Sequence, residues 1–435
     1  MSSRRRALRL RRHGLVLAAA LLVVPVVVAC SSDNPPAGGT SSGTPGFDAT
    51  GGDSLAKPDA STDGASTTSA EPLGNLPTVD EPDVPCVKGG GTRTLLFNAG
   101  DSGNGGPAVT RVQSLGARRF AAGGNLPGFI TFDATGAAPQ LFPVALGTVQ
   151  TAFSSEGDVI GAMALNASTV DYQRYDANGA AQGAPVTLAT GIVSPGALWM
   201  GSGGGGSLAA WSAGATLTAA GVTAAGAAAG APWTLATGGT SARVVMAYAN
   251  GKYAIAYSFS VSTGTVARFQ LADATGPSGA AVDILSAAAA VGKVEVVAIV
   301  PTSKGFLLIF DRGADDLVYV VPLDASGKVS GPARRLLGGD APWGLASRGD
   351  DVALVTMSND TKVNGNEGPR KPQFRALDPA GVPLAPWVCF DERIATGQYQ
   401  DMGVLAEPNG YAVVYKTVTD ETALQRVDKL GTGAP

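Results

Sequence analysis

The eleven residues PLDASGKVSGP, from Pro322 to Pro332, hold Asp324 and Gly327 three positions apart. Asp accepts hydrogen bonds from backbone amides two residues further on, and Gly adopts the positive φ angle that closes a tight corner. The same D-x-x-G pattern, with Thr for Asp in one copy, occurs at Asp133, Asp176, Thr223, Asp273, Asp324, Asp378 and Asp428. The copies follow one another at intervals of 43, 47, 50, 51, 54 and 50 residues. Such a regular interval predicts a repeat architecture.

The unit around the corner at Asp273 predicts four antiparallel strands. VVMAY, residues 244–248, is followed by Asn250-Gly251, a strong signal for a two-residue hairpin. In YAIAYSFSV, residues 253–261, bulky and small residues alternate with period two, as in a strand with two different faces. VARFQL then leads to the corner, and AVDIL follows it. Each unit is therefore predicted to be an up-and-down meander of four strands.

These units predict an all-β domain, because no stretch after the N-terminal leader shows a sustained helical period. Seven four-stranded units of this length are typical of a seven-bladed β-propeller, which we predict for residues 86–435. The first unit fits least well, since residues 87–122 match the pattern poorly. A row of β-sandwich modules or an open solenoid is the structural alternative. The domain also resembles secreted propeller-repeat proteins of high-GC bacteria, a resemblance that implies a fold and no activity.

The N terminus, residues 1–29, has the pattern of an export signal. Six arginines precede an apolar run from Leu15 to Ala29, which Pro25 interrupts and which is short for a membrane span. The sequence Val27-Val28-Ala29-Cys30 resembles the lipobox of bacterial lipoproteins. That resemblance implies cleavage before Cys30 and lipid on its sulfur and amino group. A signal peptide cut elsewhere, beside an incidental cysteine, is the alternative.

Residues 30–85 are predicted to be the lipidated cysteine and a flexible linker, since they are mostly Gly, Ser, Thr, Pro and Asp. Ser31 follows the cysteine where inner-membrane lipoproteins often have Asp, which favours the outer membrane. We therefore expect an exported protein, anchored by lipid to the bacterial envelope and in contact with the periplasm. The whole chain has a net charge of −4, and loss of the six leader arginines leaves −10. Nothing in the exported chain has the basic character of a nucleic-acid-binding surface.

Two cysteines remain in the predicted domain, Cys86 and Cys389. In an oxidising compartment a pair is more often bonded than free, and a closed ring would bring the two ends of the domain together. We therefore predict a disulfide between them.

The exported chain has no histidine, since the single one, His13, lies in the leader. This excludes Ser-His-Asp and Cys-His catalysis as well as histidine-ligated zinc. Three other strings, YANGK at 248–252, GSGGGG at 201–206 and RGD at 348–350, coincide with predicted hairpin turns, so we assign them no chemistry. We predict no cofactor; calcium is the ion that the oxygen-rich loops at 311–316 and 359–367 would suit, although Lys362 stands where a ligand should be.

One connection is longer than its counterparts. From the first hairpin Gly to the corner Asp the sixth unit has 29 residues and the others measured have 18 to 22, and the extra residues are NDTKVNGNEGPRK, 359–371. In a propeller all connections between second and third strands emerge on one face, where binding residues are often carried. The candidate binding residues in the fifth and sixth units are Asp311, Arg312, Asp315, Asp316, Asp360, Lys362, Glu367, Arg370 and Lys371.

The favoured function is that of a membrane-anchored, non-catalytic propeller lipoprotein that binds a protein or glycan or acts as a scaffold. A polysaccharide hydrolase or lyase that uses carboxylates is the first alternative, because propellers bring distant acids together over the central channel. A purely structural envelope lipoprotein is the second. No catalytic residue and no ligand follows from the sequence.

Overall fold

The computed structural model describes residues 73–82, 86–97, 111–115, 117–122, 128–144, 146, 150–286, 294–312, 317–337, 339–358, 362–363, 366–367, 371–390, 402–417 and 421–433. Throughout these residues the regular structure is strand, with no helix. It follows that the described part contains no helix with the length and hydropathy to span a membrane. The predicted leader and Cys30 lie outside the described residues.

Seven sheets of at least four strands form the domain, and each is one blade. The strands of blades 1 to 3 are β4 (Arg111–Leu115), β5 (Arg118–Ala122), β6 (Gly128–Asp133), β7 (Gln140–Pro143), β8 (Gln150–Glu156), β9 (Val159–Leu165), β10 (Thr169–Asp176), β11 (Ala181–Thr190), β12 (Pro195–Gly203), β13 (Gly206–Ala213), β14 (Thr216–Val222) and β15 (Trp233–Thr237). Those of blade 4 are β16 (Thr240–Ala249), β17 (Lys252–Val261), β18 (Gly264–Asp273) and a split outer strand, β19 (Gly276–Pro277) and β20 (Val282–Leu285).

Blades 5 to 7 combine C-terminal strands with three strands from the N-terminal side of the chain. The C-terminal strands are β21 (Val294–Thr302), β22 (Gly305–Arg312), β23 (Leu317–Leu323), β24 (Ala333–Leu336), β25 (Gly339–Arg348), β26 (Asp351–Ser358), β27 (Lys362–Val363), β28 (Asn366–Glu367), β29 (Pro372–Leu377), β30 (Val388–Cys389), β31 (Met402–Glu407), β32 (Gly410–Lys416) and β33 (Thr422–Val427). The N-terminal strands are β1 (Thr78–Asp80), β2 (Val87–Lys88) and β3 (Thr92–Phe97). β27 and β28 form a small separate hairpin.

The blades close into a ring. The innermost strands are β4, β8, β12, β16, β21, β25 and β31; each contacts the innermost strand of the next blade, and β31 contacts β4. The domain is therefore a seven-bladed β-propeller, as the repeat predicted, and the sandwich and solenoid alternatives are excluded. The prediction of two unlike strand faces is also confirmed. In β17 the bulky Tyr257 and Phe259 lie in the core shared with blade 3, whereas Ala254 and Ala256 lie in the core shared with blade 5.

In blades 1 to 6 the D-x-x-G corner joins the third strand of the blade to its fourth, whereas the corner at Asp428 follows β33, whose outer partner is β3 from the N-terminal side. At Asp324, Oδ1 accepts hydrogen bonds from the amides of Ser326 (2.8 Å) and Lys328 (3.0 Å), and Gly327 has a φ of 85°. The corner also packs on the preceding blade, because a Cβ on Gly327 would lie 1.9 Å from the ring of Phe269. Gly327 therefore has two roles. Its positive φ closes the turn, and its lack of a side chain lets blade 5 pack closely against blade 4.

Residues 73–82 and 86–97 run along the outer edges of blades 5, 6 and 7, and we call this part of the chain, 73–97, the N-terminal belt. β1 pairs in parallel with β24, β2 pairs in parallel with β30, and β3 pairs antiparallel with β33 as the fourth strand of blade 7. The linker was predicted to extend to residue 85, but the described chain joins the propeller already at Leu73. Residues 87–122 match the repeat poorly because they do not form one unit. β3 completes blade 7, whereas β4 and β5 begin blade 1.

The predicted disulfide is present between Cys86 and Cys389, whose Cα atoms are 5.6 Å apart across 303 residues of sequence. It links the belt to the outermost C-terminal strand of blade 6. Ring closure places the two cysteines together, as the prediction assumed.

Candidate functional site

The candidate site lies on the face that carries the connections between second and third strands, which we call the loop face. Because consecutive strands are antiparallel, these connections share a face with the blade-to-blade connections, whereas the first hairpins and the D-x-x-G corners lie on the opposite one, the corner face. The long segment 359–371 joins β26 to β29, as predicted, and its neighbours join β22 to β23 and β32 to β33.

The structure places the candidate binding residues in three different settings. Arg312 is buried, and its Nη1 lies 3.5 Å from the hydroxyl of Tyr319, whereas Asp311 and Lys371 are half-buried. Lys362 and Glu367 are paired in register across the β27–β28 hairpin. Those that lie outside the described residues are Asp315, Asp316, Asp360 and Arg370.

Polar side chains cluster in the junction between blades 5 and 6, next to the start of the long segment. In β26 and β29, Leu354 is opposite Arg375 and Thr356 is opposite Gln373. Leu354 belongs to the core between blades 5 and 6, so its cross-strand partner and the residues two positions along face that junction too. Asp311 faces it from blade 5, because it follows Ile309 by two residues on β22.

The contacts within this cluster hold it in one arrangement. The Gln373 Nε2 group donates to Cys389 Sγ at 3.4 Å, and Thr356 Oγ1 lies 3.3 Å from Gln373 Oε1. The guanidinium of Arg375 lies 4.9 Å from the ring centre of Trp387, whose Nε1 donates to the Leu337 carbonyl at 2.7 Å. The cluster therefore connects the disulfide at the rim to the loop face.

Buried polar side chains also occur in the neighbouring junction between blades 4 and 5, where Ser258, Thr265 and Arg312 are at most 5% exposed. Thr356, Gln373 and Arg375 are each at most 3% exposed. Removal of these polar and charged groups from water has a desolvation cost that apolar side chains would not have. The contacts within the cluster offset part of that cost.

Two acidic residues meet close to the cluster. Glu295 on β21 is directly opposite Asp311 on β22, at the end of both strands that meets the loop face. Directly opposed residues of an antiparallel pair have Cβ atoms about 5 Å apart. The Arg243 Nε of blade 4 donates to Glu295 Oε2 at 3.1 Å. The sequence reasoning missed Glu295, Thr356, Gln373 and Arg375.

The loop face also has two clefts on the other side of the ring. A cleft of about 230 Å³ lies between blades 3 and 4, with Thr216, Thr240 and Phe259 in its wall. A wider one of about 610 Å³ lies between blades 2 and 3, beside Trp211 and the exposed Val193. Both are next to the β13–β14 turn, and neither includes a predicted binding residue.

The glycine-rich string at 201–206 forms the first hairpin of blade 3, as predicted from its position. Its Gly204 and Gly205 have φ angles of 64° and 82°. A Cβ on Gly203 would lie 2.0 Å from the ring of Tyr248, so the neighbouring blade covers this turn. The amide of Gly205 donates to Glu156 at 2.8 Å. The string is a packing surface between blades, which explains its glycines without a phosphate.

Neither a protein-family model nor a curated protein sequence matches the chain. Among solved structures it is similar to apo AztD from Citrobacter koseri, at 14% identity and a TM-score of 0.43, over 76% of this chain and 87% of that one. It is also similar to the Dos1 propeller (10%, 0.44, 76% and 82%) and to the AfRom2 CNH domain (11%, 0.44, 77% and 98%). Likenesses of this strength carry no argument about function, so the fold assignment depends on the strand pairing.

Proposed function

We propose that the protein is an exported propeller that is held to the bacterial envelope by lipid on Cys30 and binds a protein or glycan with its loop face, without catalysis. The observation that carries the binding role is the polar cluster of blades 5 and 6, next to the longest connection between a second and a third strand. Rigid scaffolds commonly place binding residues on such connections. The anchor is supported by the lipobox, and Ser31 favours the outer membrane.

Two matched double variants test the binding role. In the loop-face variant Asp360→Asn is combined with Arg370→Gln, and in the control Asp158→Asn is combined with Lys304→Gln in exposed turns of the corner face. Envelope protein and polysaccharide that co-purify after gentle detergent extraction are compared with the wild type. We expect the loop-face variant to lose the bound component and the control to keep it. Equal recovery from all three proteins would leave a purely structural role as the better explanation.

The anchor has a separate test. Cys30→Ala is expected to move the protein from the membrane fraction to the soluble fraction, with loss of the lipid mass from the N-terminal peptide. A membrane-bound Cys30→Ala protein would refute the anchor and leave the loop-face proposal standing.

A carboxylate-dependent polysaccharide hydrolase or lyase is the second candidate, and the opposed pair Glu295 and Asp311 favours it. Retaining glycosidases use two carboxyl groups about 5 Å apart, a separation that two acidic side chains at directly opposed strand positions can reach. Wild-type protein, Glu295→Gln and Asp311→Asn are to be compared on a panel of envelope polysaccharides. Turnover that both substitutions abolish would establish this candidate, whereas turnover by none of the three proteins would reject it.

A further inference from the structure

The N-terminal belt begins with a segment that only non-covalent contacts hold. Leu73 and Leu76 are buried in the core between blades 4 and 5, and Leu76 N donates to Leu73 O at 3.1 Å. The Asn75 Oδ1 atom accepts a hydrogen bond of 3.1 Å from the amide of Ser286 in blade 4. The chain from the predicted linker thus meets the propeller at the rim between these blades.

The next contacts are a short strand and two ion pairs. β1 has three residues, of which Thr78 pairs with Ala333 of β24. Both carboxylate oxygens of Asp80 accept hydrogen bonds from Arg335, at 2.5 Å each, and Glu81 accepts one from Arg334 at 2.5 Å. These bonds lie one after another along the chain, so a pull from the linker side would load them in turn.

The belt is then fixed covalently. Cys86 is bonded to Cys389, and the amide of Gly89 donates to the Cys389 carbonyl at 2.7 Å. Gly91 has a φ of 95°, and a Cβ there would lie 1.8 Å from the Arg426 carbonyl oxygen. This part of the belt is therefore held both by the disulfide and by close backbone packing against blades 6 and 7.

The last part of the belt closes the ring. β3 pairs with β33 from Thr92 to Phe97, and Leu96 is buried in the core between blades 7 and 1. Loss of β3 would leave blade 7 with three strands and uncover that core. The order along the chain is thus a detachable segment, a covalent link and the ring closure.

We propose that the Cys86–Cys389 disulfide limits mechanical unfolding from the N-terminal side. Under a pull from that side residues 73–85 detach, and the disulfide then bears the force, so that β3 stays in place. Local segments of a folded protein open at much lower free energy than the whole, and a short edge strand is of this kind. The covalent bond passes the load to blade 6 before it reaches β3. Tension in the cell rests on the proposed anchor at Cys30, but the mechanical order is a property of the domain alone.

Single-molecule pulling tests the proposal on a protein of residues 30–435, made without lipid. The handles are the Cys30 thiol and an azide-bearing residue in place of Asp158, in an exposed turn of blade 2 across the ring from the disulfide. Wild type is compared with the Cys86→Ser/Cys389→Ser variant. At about 3.5 Å per extended residue, the thirteen residues 73–85 span at most ~45 Å when released, and residues 73–97 at most ~85 Å.

We expect a first extension of up to ~45 Å in the wild type, followed by unfolding of the blades only at higher force, and a longer first extension, of up to ~85 Å, in the variant. Equal first extensions in the two proteins, or no extension before the blades unfold, would overturn the proposal. If the variant does not fold, wild-type protein treated with dithiothreitol takes its place, with the same expected lengths. Neither result depends on lipid, so failure here is distinct from failure of the anchor.

Discussion

Glu407 and Arg119, 288 residues apart in the sequence, form a buried ion pair of 3.2 Å where the last blade meets the first. The second oxygen of Glu407 accepts a hydrogen bond of 3.2 Å from Arg426 of its own blade. Side-chain exposures of the three residues are 9 to 15%, so water screens these contacts little. One carboxylate therefore helps to join the two ends of the ring.

We expect Glu407→Gln to lower the free energy of unfolding by about 3–5 kcal/mol, because removal of one partner leaves two buried guanidinium groups without their counter-ion. Glu421→Gln is the control, since its ion pair with Arg93 has side-chain exposures of 31 and 35%. Such an exposed pair contributes at most about 1 kcal/mol. Chemical denaturation measures both, and equal losses would contradict a special role for the junction.

The corner glycine of blade 5 provides a second test. Gly327→Ala and Gly157→Ala both place a side chain at a positive φ, which costs about 1 kcal/mol. A Cβ at Gly157 meets no atom within 4 Å, whereas at Gly327 it collides with Phe269 of blade 4. We expect Gly327→Ala to be the more destabilising by about 1–3 kcal/mol. Similar melting temperatures for the two variants would show that the corner does not determine how closely the blades approach.

Two buried tyrosines at equivalent positions differ in their hydroxyl contacts. Tyr253 donates to the Gly203 carbonyl of the preceding blade at 2.8 Å, and the Tyr411 hydroxyl has no hydrogen-bond partner among the described residues. Burial raises the pKa of both phenols, so both stay protonated at neutral pH. We expect Tyr253→Phe to cost about 1 kcal/mol and Tyr411→Phe to be neutral or slightly stabilising. A larger loss for Tyr411→Phe in thermal unfolding would refute this assignment.

The aspartate carboxyl groups of the corners predict that the free energy of unfolding depends on pH. The Ser326 hydroxyl, with the amides of Lys328 and Ser326, holds the pKa of Asp324 below its ordinary value despite partial desolvation. A carboxyl with a lowered folded-state pKa contributes stability that is complete above about pH 4 and is lost as the pH falls through the folded-state value. The difference in unfolding free energy between wild type and Asp324→Asn should therefore shrink from pH 5 to pH 2. A constant difference over that range would contradict the mechanism.

The repeat was readable because Asp and Gly determine the corners locally. Asp324 and Gly327 mark the end of a third strand in the sequence itself, and alternation in residues 253–261 marks a strand with two faces. The packing of Gly327 against Phe269 could not be predicted from the sequence, because the need for a positive φ angle is already a sufficient reason for a glycine at this position. Closure by Cys86 and Cys389 was predictable once the units were counted.

The belt and the polar cluster were not predictable for a different reason. β1 and β2 have three and two residues, too few for a periodic signal, and their partners are some 250 to 300 residues away. Leu73 and Leu76 stand in a segment whose composition indicates a linker. Thr356, Gln373 and Arg375 alternate with apolar residues as in any strand, and only the ring shows which blade they face.

The closure of the ring by β3 is the central claim, and removal of β3 tests it most directly. A chain that begins at Ser66 keeps the whole belt, and one that begins at Asn98 lacks it. Thermal unfolding followed by circular dichroism should give the 66–435 protein the same cooperative transition and melting temperature as a protein of residues 30–435. The 98–435 protein should lose that transition or melt far lower. Identical transitions for the two proteins would contradict the closure.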